Sequence, residues 1–229
     1  TDITVNDVTV GGNLNAKAKK ITATSITAGK NAVLNAETAL TAQNISAGAD
    51  LNAKAVNITA QNITAGNTTL NAGTQLTAQN VTAGGNATLN AGTQLTAHDV
   101  RVGGDLNAKA QNITATSVTG KGNAVLTADK DVTLAGALSA KNNARLTAGQ
   151  NAKLGGKTDV GETLTAHIGK DFVTNGAVTT GKELIANVAH DLTANDAVTT
   201  GADFTAIVGN DAVTNGIVTT NGALKWNVG

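Results

Sequence analysis

The chain has 229 residues with sixteen basic and sixteen acidic side chains spread along it, a balance that leaves no electrostatic footprint for nucleic acid or for an anionic membrane surface. Only Phe172, Phe204 and Trp226 are aromatic, and Pro, Cys, Met and Tyr are absent, so a compact globule of this size would lack the large side chains to fill its centre, whereas a slender repeat domain would not. No apolar run approaches the roughly eighteen residues of a membrane helix. The chain enters a repeat at Thr1, and it reads as a segment of something longer whose targeting signals lie outside it.

The repeat is most visible where LNAGTQLTAQ (residues 70–79) recurs nineteen residues later as LNAGTQLTAH (residues 89–98). Aligning the chain on (I/L)TA gives unit starts at Ile3, Ile21, Leu40, Ile58, Leu76, Leu95, Ile113, Val132, Ala152, Phe172, Leu192 and Ala212, about twelve coils in all. Spacings of 18 or 19 over residues 1–131 give way to 20 over residues 132–229. The two stretches read as repeat subtypes of one continuous solenoid, because the apolar columns persist and no proline or low-complexity linker marks a boundary.

Three alternating segments recur in each coil, in the second Ile21-Thr22-Ala23, Ile26-Thr27-Ala28 and Leu34-Asn35-Ala36. An apolar, polar, apolar triplet points two side chains inward and one outward, as a half-buried strand does. Clusters such as Gly29-Lys30-Asn31 separate the segments and are expected to supply positive φ or side-chain caps at corners. Frequent Gly, β-branched Thr and Ile, and the lack of three-to-four periodicity argue against helix. Anchors at unequal intervals, such as Ile21, Ile26, Leu34 and Leu40, depart from the six-residue regularity of left-handed hexapeptide helices. The expected fold is therefore all-β, a right-handed parallel β-helix with three short strands per coil.

Stacking predicts one interior column from Ile3, Ile21 and Leu40 to Ile113 and Val132, and a second from Val8, Ile26 and Ile45 to Val118 and Leu138. A third would hold Leu14, Leu34, Leu51, Leu70, Leu89, Leu106, Leu126, Leu146, Leu164, Leu184, Phe204 and Leu224, with alanine between the columns. Outside, Thr4, Thr22, Thr41, Thr59, Thr77, Thr96, Thr114 and Thr133 should form one ladder. Asn15, Asn35, Asn52, Asn71, Asn90 and Asn107 should form another.

Units such as LNAGTQLTAQNVTAGG and GADFTAIVGNDAVTNG resemble the filamentous haemagglutinin-type repeats of large two-partner-secretion exoproteins of Gram-negative bacteria, a group of adhesins, biofilm-matrix proteins and contact-dependent-inhibition toxin sticks. The resemblance covers essentially the whole chain. It implies a right-handed β-helical shaft on the cell surface, exported unfolded through an outer-membrane secretion pore, and the absence of Cys suits that route. Binding to a host-cell receptor, a neighbouring bacterium or matrix polysaccharide would fall to parts of the parent outside this chain. The function expected is that of a structural spacer in a secreted adhesin or toxin-delivery filament, with no nucleic-acid partner.

No catalytic, cofactor-binding or metal-binding residue is expected. Polysaccharide lyases and hydrolases share the β-helix but gather charged groups under long loops, whereas Asp50, Asp105, Asp129, Asp131, Asp171, Asp191 and Asp211 fall mostly at corners, where Asx-type capping is the reading. His98, His167 and His190 are too few and scattered for a metal site, and Gly11-Gly12, Gly84-Gly85 and Gly103-Gly104 do not match the calcium-binding nonapeptide. Phe172, Phe204 and Trp226 align with interior columns, Phe204 in the Leu184 place and Trp226 in the Ala206 place, and should fill the core, with Trp226 plugging an open end. The alternative function is direct binding of polysaccharide, host glycan or ice on a flat Thr/Asn face. Unpaired strand edges at both ends would favour end-to-end self-association.

Overall fold

The computed structural model describes residues 1–229, contains twenty-five strands and no helix, and divides into two units, Thr1–Gln111 and Asn112–Gly229. Each is a right-handed parallel β-helix of six coils. Unit 1 holds β1 (Ile3–Val10), β2 (Leu14–Ala28), β3 (Ala32–Ala47), β4 (Leu51–Ala65), β5 (Thr68–Ala83), β6 (Ala87–Ala91), β7 (Gln94–Val102) and β8 (Leu106–Ala110). Unit 2 opens with β9 (Asn112–Gly120) and β10 (Ala124–Ala128) and then settles into a strict pattern of short strands. Its next coils are β11 (Val132–Leu134), β12 (Leu138–Ala140) and β13 (Ala144–Ala148), then β14 (Ala152–Leu154), β15 (Thr158–Val160) and β16 (Leu164–Ile168). The pattern continues with β17 (Phe172–Thr174), β18 (Val178–Thr180) and β19 (Leu184–Val188), then β20 (Leu192–Ala194), β21 (Val198–Thr200) and β22 (Phe204–Val208). The last coil is β23 (Ala212–Thr214), β24 (Val218–Thr220) and β25 (Leu224–Val228).

All pairing is parallel, and the register explains the uneven repeat lengths. In the second coil, residues 21–23 form one face, 26–28 the next and 32–36 the third, so the third face is five residues long. The strand positions are the same in every coil, and only the corners vary, between two and three residues. Corner 24–25 in unit 1 has two residues where corner 175–177 in unit 2 has three. The strands β2 to β5 run through two corners each, with register shifts at Ala18/Lys20, Asn35/Ala39 and Ala55/Asn57.

The first two interior columns stand as expected within each unit: Ile3, Ile21, Leu40, Ile58, Leu76 and Leu95 lie in register, as do Val8, Ile26, Ile45, Ile63, Val81 and Val100. In unit 2 the columns run Ile113, Val132, Ala152, Phe172, Leu192, Ala212 and Val118, Leu138, Thr158, Val178, Val198, Val218.

The third column differs from expectation. A five-residue face has three inward places, and the Leu-Asn-Ala triplet sits at either end of it. Leu14, Ala32, Leu51, Thr68, Ala87 and Leu106 share one column, while Ala16, Leu34, Ala53, Leu70, Leu89 and Ala108 share the next. Leucine in one place thus goes with alanine or threonine in the other, and each coil fills the same volume with one large and one small side chain. In unit 2 the arrangement is Leu126 and Leu146 beside Ala124 and Ala144, then Leu164, Leu184 and Phe204 beside Ala166, Ala186 and Ala206. Leu14 and Ala16 in the first coil are half-buried, and the others are buried. Full burial of a leucine contributes roughly 1.5–3 kcal/mol.

Polar residues enter the interior chiefly in unit 2. Thr180 and Thr200 are buried, and their hydroxyls donate to the carbonyls of Lys182 and Ala202, at 3.2 and 2.8 Å. Corner glycines were expected to adopt positive φ, yet no residue does so. Their role is space: a Cβ on Gly48 would overlap the carbonyl oxygen of Gly29 one coil back, whereas Gly11, in the first coil, has open space.

Two measurements check this packing. Leu34→Ala should cost about 2–5 kcal/mol in urea denaturation. Adding Ala32→Leu, which conserves coil volume in an arrangement unit 2 already uses, should recover at least half. Gly48→Ala should destabilise by about 1–3 kcal/mol through overpacking, while Gly11→Ala leaves the transition unmoved.

Candidate functional surfaces

Outward side chains inherit the register of the inward ones. Thr4, Thr22, Thr41, Thr59, Thr77 and Thr96 form a single rank along unit 1, and Thr114 pairs with Thr133 in unit 2 before Lys153 and Val173 take the place. The expected asparagine ladder is not formed. Asn15 aligns with Val33, Asn52, Thr69, Thr88 and Asn107, whereas Asn35, Asn71 and Asn90 align with Lys17, Lys54 and Lys109. The cause is again the five-residue face, which places the same triplet two positions apart in different coils.

Asparagine ladders do form at the corner between the first two faces. Asn62 donates its amide to Asn44 and accepts from Asn80, both at 2.8 Å. In unit 2, Asn195 does the same between Asn175 and Asn215, at 2.9 and 2.8 Å. The signal was present in Gln43-Asn44, Gln61-Asn62 and Gln79-Asn80, which recur at the coil period.

Several corner acids cap across coils, whereas Asp196 accepts the Ala197 N–H within its own corner at 2.7 Å. The Oδ1 atoms of Asp131, Asp171 and Asp191 accept the backbone N–H of Asn151, Asp191 and Asp211, at 3.0, 3.3 and 3.1 Å. In unit 1, Asn31, Asn67 and Asn86 receive Asp50, Asn86 and Asp105 in the same way, at 3.0, 2.8 and 2.8 Å. Hydrogen bonds to the ionised form lower a carboxyl pKa. Asp191 is lowered mainly by the Asn210 amide and then by the Asp211 N–H, and Asp203 mainly by the Ala223 N–H and then by Lys225.

The three histidines differ in surroundings. His98 is exposed at a corner. His167 Nδ1 lies 3.2 Å from the Asn187 amide nitrogen. His190 is drawn into a cluster that histidine counting alone missed: its Nδ1 lies 3.0 Å from Asp171 Oδ1 and 3.1 Å from Asp191 Oδ2. Stacking at a twenty-residue period brings the two carboxylates together, and His190 precedes one of them. Ligand atoms of all three lie within 4.8 Å of one another, a set of donors of the kind that holds a divalent cation. A proton on Nδ1 serves both carboxylates, and the cluster is an ion pair when His190 is protonated. Hydrogen bonding to Asp171, followed by the Asp191 charge, raises the His190 pKa.

Unit 1 also carries a groove of about 660 Å³, lined by the outward column Lys17, Asn35, Lys54, Asn71 and Asn90 together with Glu37. Asn90 donates to Asn71 at 2.8 Å within it. The groove follows the corner where the register shifts occur, and its polar lining combines amides and ammonium groups with the Glu37 carboxylate. Among the aromatics, Phe172 and Phe204 are buried as expected. Trp226 stands on Phe204 in an edge-to-face contact, with centroids 5.4 Å apart and planes at 77°.

No protein-family model, curated protein or solved structure matches the chain. The class is defined by the fold itself, a right-handed parallel β-helix.

Asn62→Ala removes one donor and one acceptor from an exposed ladder and should cost about 0.5–1.5 kcal/mol in urea denaturation. The His190 cluster predicts a pH dependence. Because the folded pKa of His190 is raised, its contribution is complete below the ordinary histidine value of about 6.5 and is lost as pH rises through the folded pKa. Asp191 has the opposite sign: its lowered pKa gives stability above the ordinary carboxyl range that is lost as pH falls through the folded value. Melting temperatures by circular dichroism should therefore fall on the alkaline side in the native protein, by a small amount for so exposed a pair, and His190→Gln should abolish that component.

Proposed function

We propose that this chain is a non-enzymatic structural module, a shaft segment of a large secreted adhesin or toxin-delivery filament at the surface of a Gram-negative bacterium. One observation carries the reading: every coil keeps the same strand positions while only its corners vary. In such an architecture each coil adds one interstrand spacing, about 4.8 Å, and stability grows as a sum over coils and their interfaces. Inward positions serve stacking, and corner amides and carboxylates tie one coil to the next. The filamentous haemagglutinin-type pattern of the repeats supports the extracellular setting and export through an outer-membrane pore. Receptors, neighbouring cells or matrix polysaccharide would be met by other parts of the parent.

The groove beside Lys17 and Lys54 favours a second reading, in which the module itself holds a polysaccharide or host glycan. Glycan-array binding lost in Lys54→Ala would support that reading over the spacer.

The spacer reading is tested by removing residues 58–75, one coil in phase, from the parent protein. Surface labelling of intact cells and adhesion should both survive the deletion. Loss of adhesion with export preserved would show that this segment contacts a ligand, and a product confined to the cytoplasm in wild-type cells would overturn the surface setting.

A further inference from the structure

The corner that leads into the first face of each coil in unit 2 stacks acids. Asp171, Asp191 and Asp211 immediately precede Phe172, Leu192 and Ala212, and the parallel register of those three sets the aspartates one above another. Adjacent strands are about 4.8 Å apart, and like charges at that spacing are destabilising on their own. The ionic partner of both Asp171 and Asp191 is His190, whose ring offers a lone pair to a metal as well as a site for a proton.

Hydrogen bonds from the following coil fix the carboxylates in place. Asp191 Oδ1 accepts the Asn210 amide at 2.8 Å and the Asp211 N–H at 3.1 Å, which leaves Oδ2 turned to His190. Asp171 Oδ1 accepts the Asp191 N–H at 3.3 Å and faces the same ring nitrogen at 3.0 Å. Groups that orient a ligand in this way are the usual support of a metal site.

The separations match a coordination shell. Two donors bound at right angles to an ion at about 2.1 Å stand about 3.0 Å apart. His190 Nδ1 is 3.0 Å from one carboxylate oxygen and 3.1 Å from the other. The three ligand atoms lie within 4.8 Å of one another, and rotation of the aspartate side chains brings both oxygens to one ion.

We propose that Asp171, His190 and Asp191 bind one divalent transition-metal ion of the zinc class, with water in the remaining positions. Side-chain exposures of 56% for His190, 43% for Asp171 and 36% for Asp191 leave room for that water. The donor set decides the class of ion. Calcium takes about six to eight oxygens and magnesium an oxygen octahedron, whereas an imidazole nitrogen beside two carboxylates suits zinc and its neighbours. Adjoining layers cannot repeat the site, because Gln150-Asn151 offers no carboxylate and Asn210-Asp211 no imidazole. The ion ties Asp171 of one coil to His190 and Asp191 of the next, and so acts as a clamp between layers.

The test is calorimetric titration of zinc chloride into the full chain in chelator-free buffer. The expected result is one site per chain, weakened at least about ten-fold by His190→Gln and by Asp171→Asn, since losing even a group that orients a ligand costs that much. His98→Gln and His167→Gln should bind as the wild type does. The Asp171→Asn side chain keeps an oxygen for the Asp191 N–H, as Asn31 does for Asp50 in unit 1, and circular dichroism verifies the fold of each variant. Excess zinc should also raise the melting temperature of the wild type and leave that of His190→Gln unmoved. No binding by the wild type, wild-type affinity in His190→Gln, or loss of binding in His98→Gln would overturn the site. Displacement of zinc by an equal concentration of calcium would overturn the class of ion.

Discussion

The parallel backbone ladder is the constraint on which the rest of the molecule depends. A coil cannot satisfy its own N–H and C=O groups, because its strands lie on different faces; each group must find a partner in the coil above or below. Leu14 N–H reaches the Asn31 carbonyl at 2.8 Å, Ala32 reaches Asp50 at 2.9 Å and Leu51 reaches Asn67 at 2.9 Å, one coil after another. Adding a single residue inside a strand would reverse every side chain beyond it, inward to outward. Variation is therefore confined to corners, and the drift from 18 to 20 residues is a change in corner length alone.

A fixed perimeter fixes the interior volume, and the side chains answer it in two ways. Unit 1 places a large residue at one inward place of the five-residue face and a small one at the other, exchanging them between coils. Unit 2 holds the assignment constant from Leu164 to Phe204 and enlarges the side chain instead, while threonines such as Thr180 and Thr200 turn their hydroxyls to nearby carbonyls. Dense packing with few aromatics follows from this pairing of sizes. The corners obey the same ladder logic, since Asp171, Asp191 and Asn31 direct their side-chain oxygens to the backbone of the following coil.

Much of this was legible in the sequence. Period-two alternation and the (I/L)TA repeat located the coils, the first two interior columns and the threonine rank, because three-residue faces leave the triplet only one way to sit. The leucine and asparagine columns were misaligned because Leu-Asn-Ala fits a five-residue face at two positions. The flanking letters resolve it: Ala18, Ala55 and Ala110 follow the triplet where it sits first, and Ala32 and Ala87 precede it where it sits last. Positive φ at corner glycines was a reasonable inference from residue type, but the crowding that requires glycine lies one coil away, at Gly29 beneath Gly48, and is invisible in local sequence. The Asp171, His190 and Asp191 cluster was hidden for a related reason, since it appears only once the twenty-residue period is wrapped into layers.

The near-identity of residues 70–79 and 89–98 has a consequence for the gene as well as for the protein. Where the two coding segments match as closely as the residues they encode, they are substrates, nineteen codons apart, for unequal recombination or replication slippage. Crossing over between them deletes or duplicates nineteen codons, one whole coil in phase with the ladder. Errors of this type, which would shift the packing of an ordinary domain, here change only how many layers the chain contains. The length of such a molecule is thus a heritable quantity that varies in whole steps, with no folding intermediate genotype to cross.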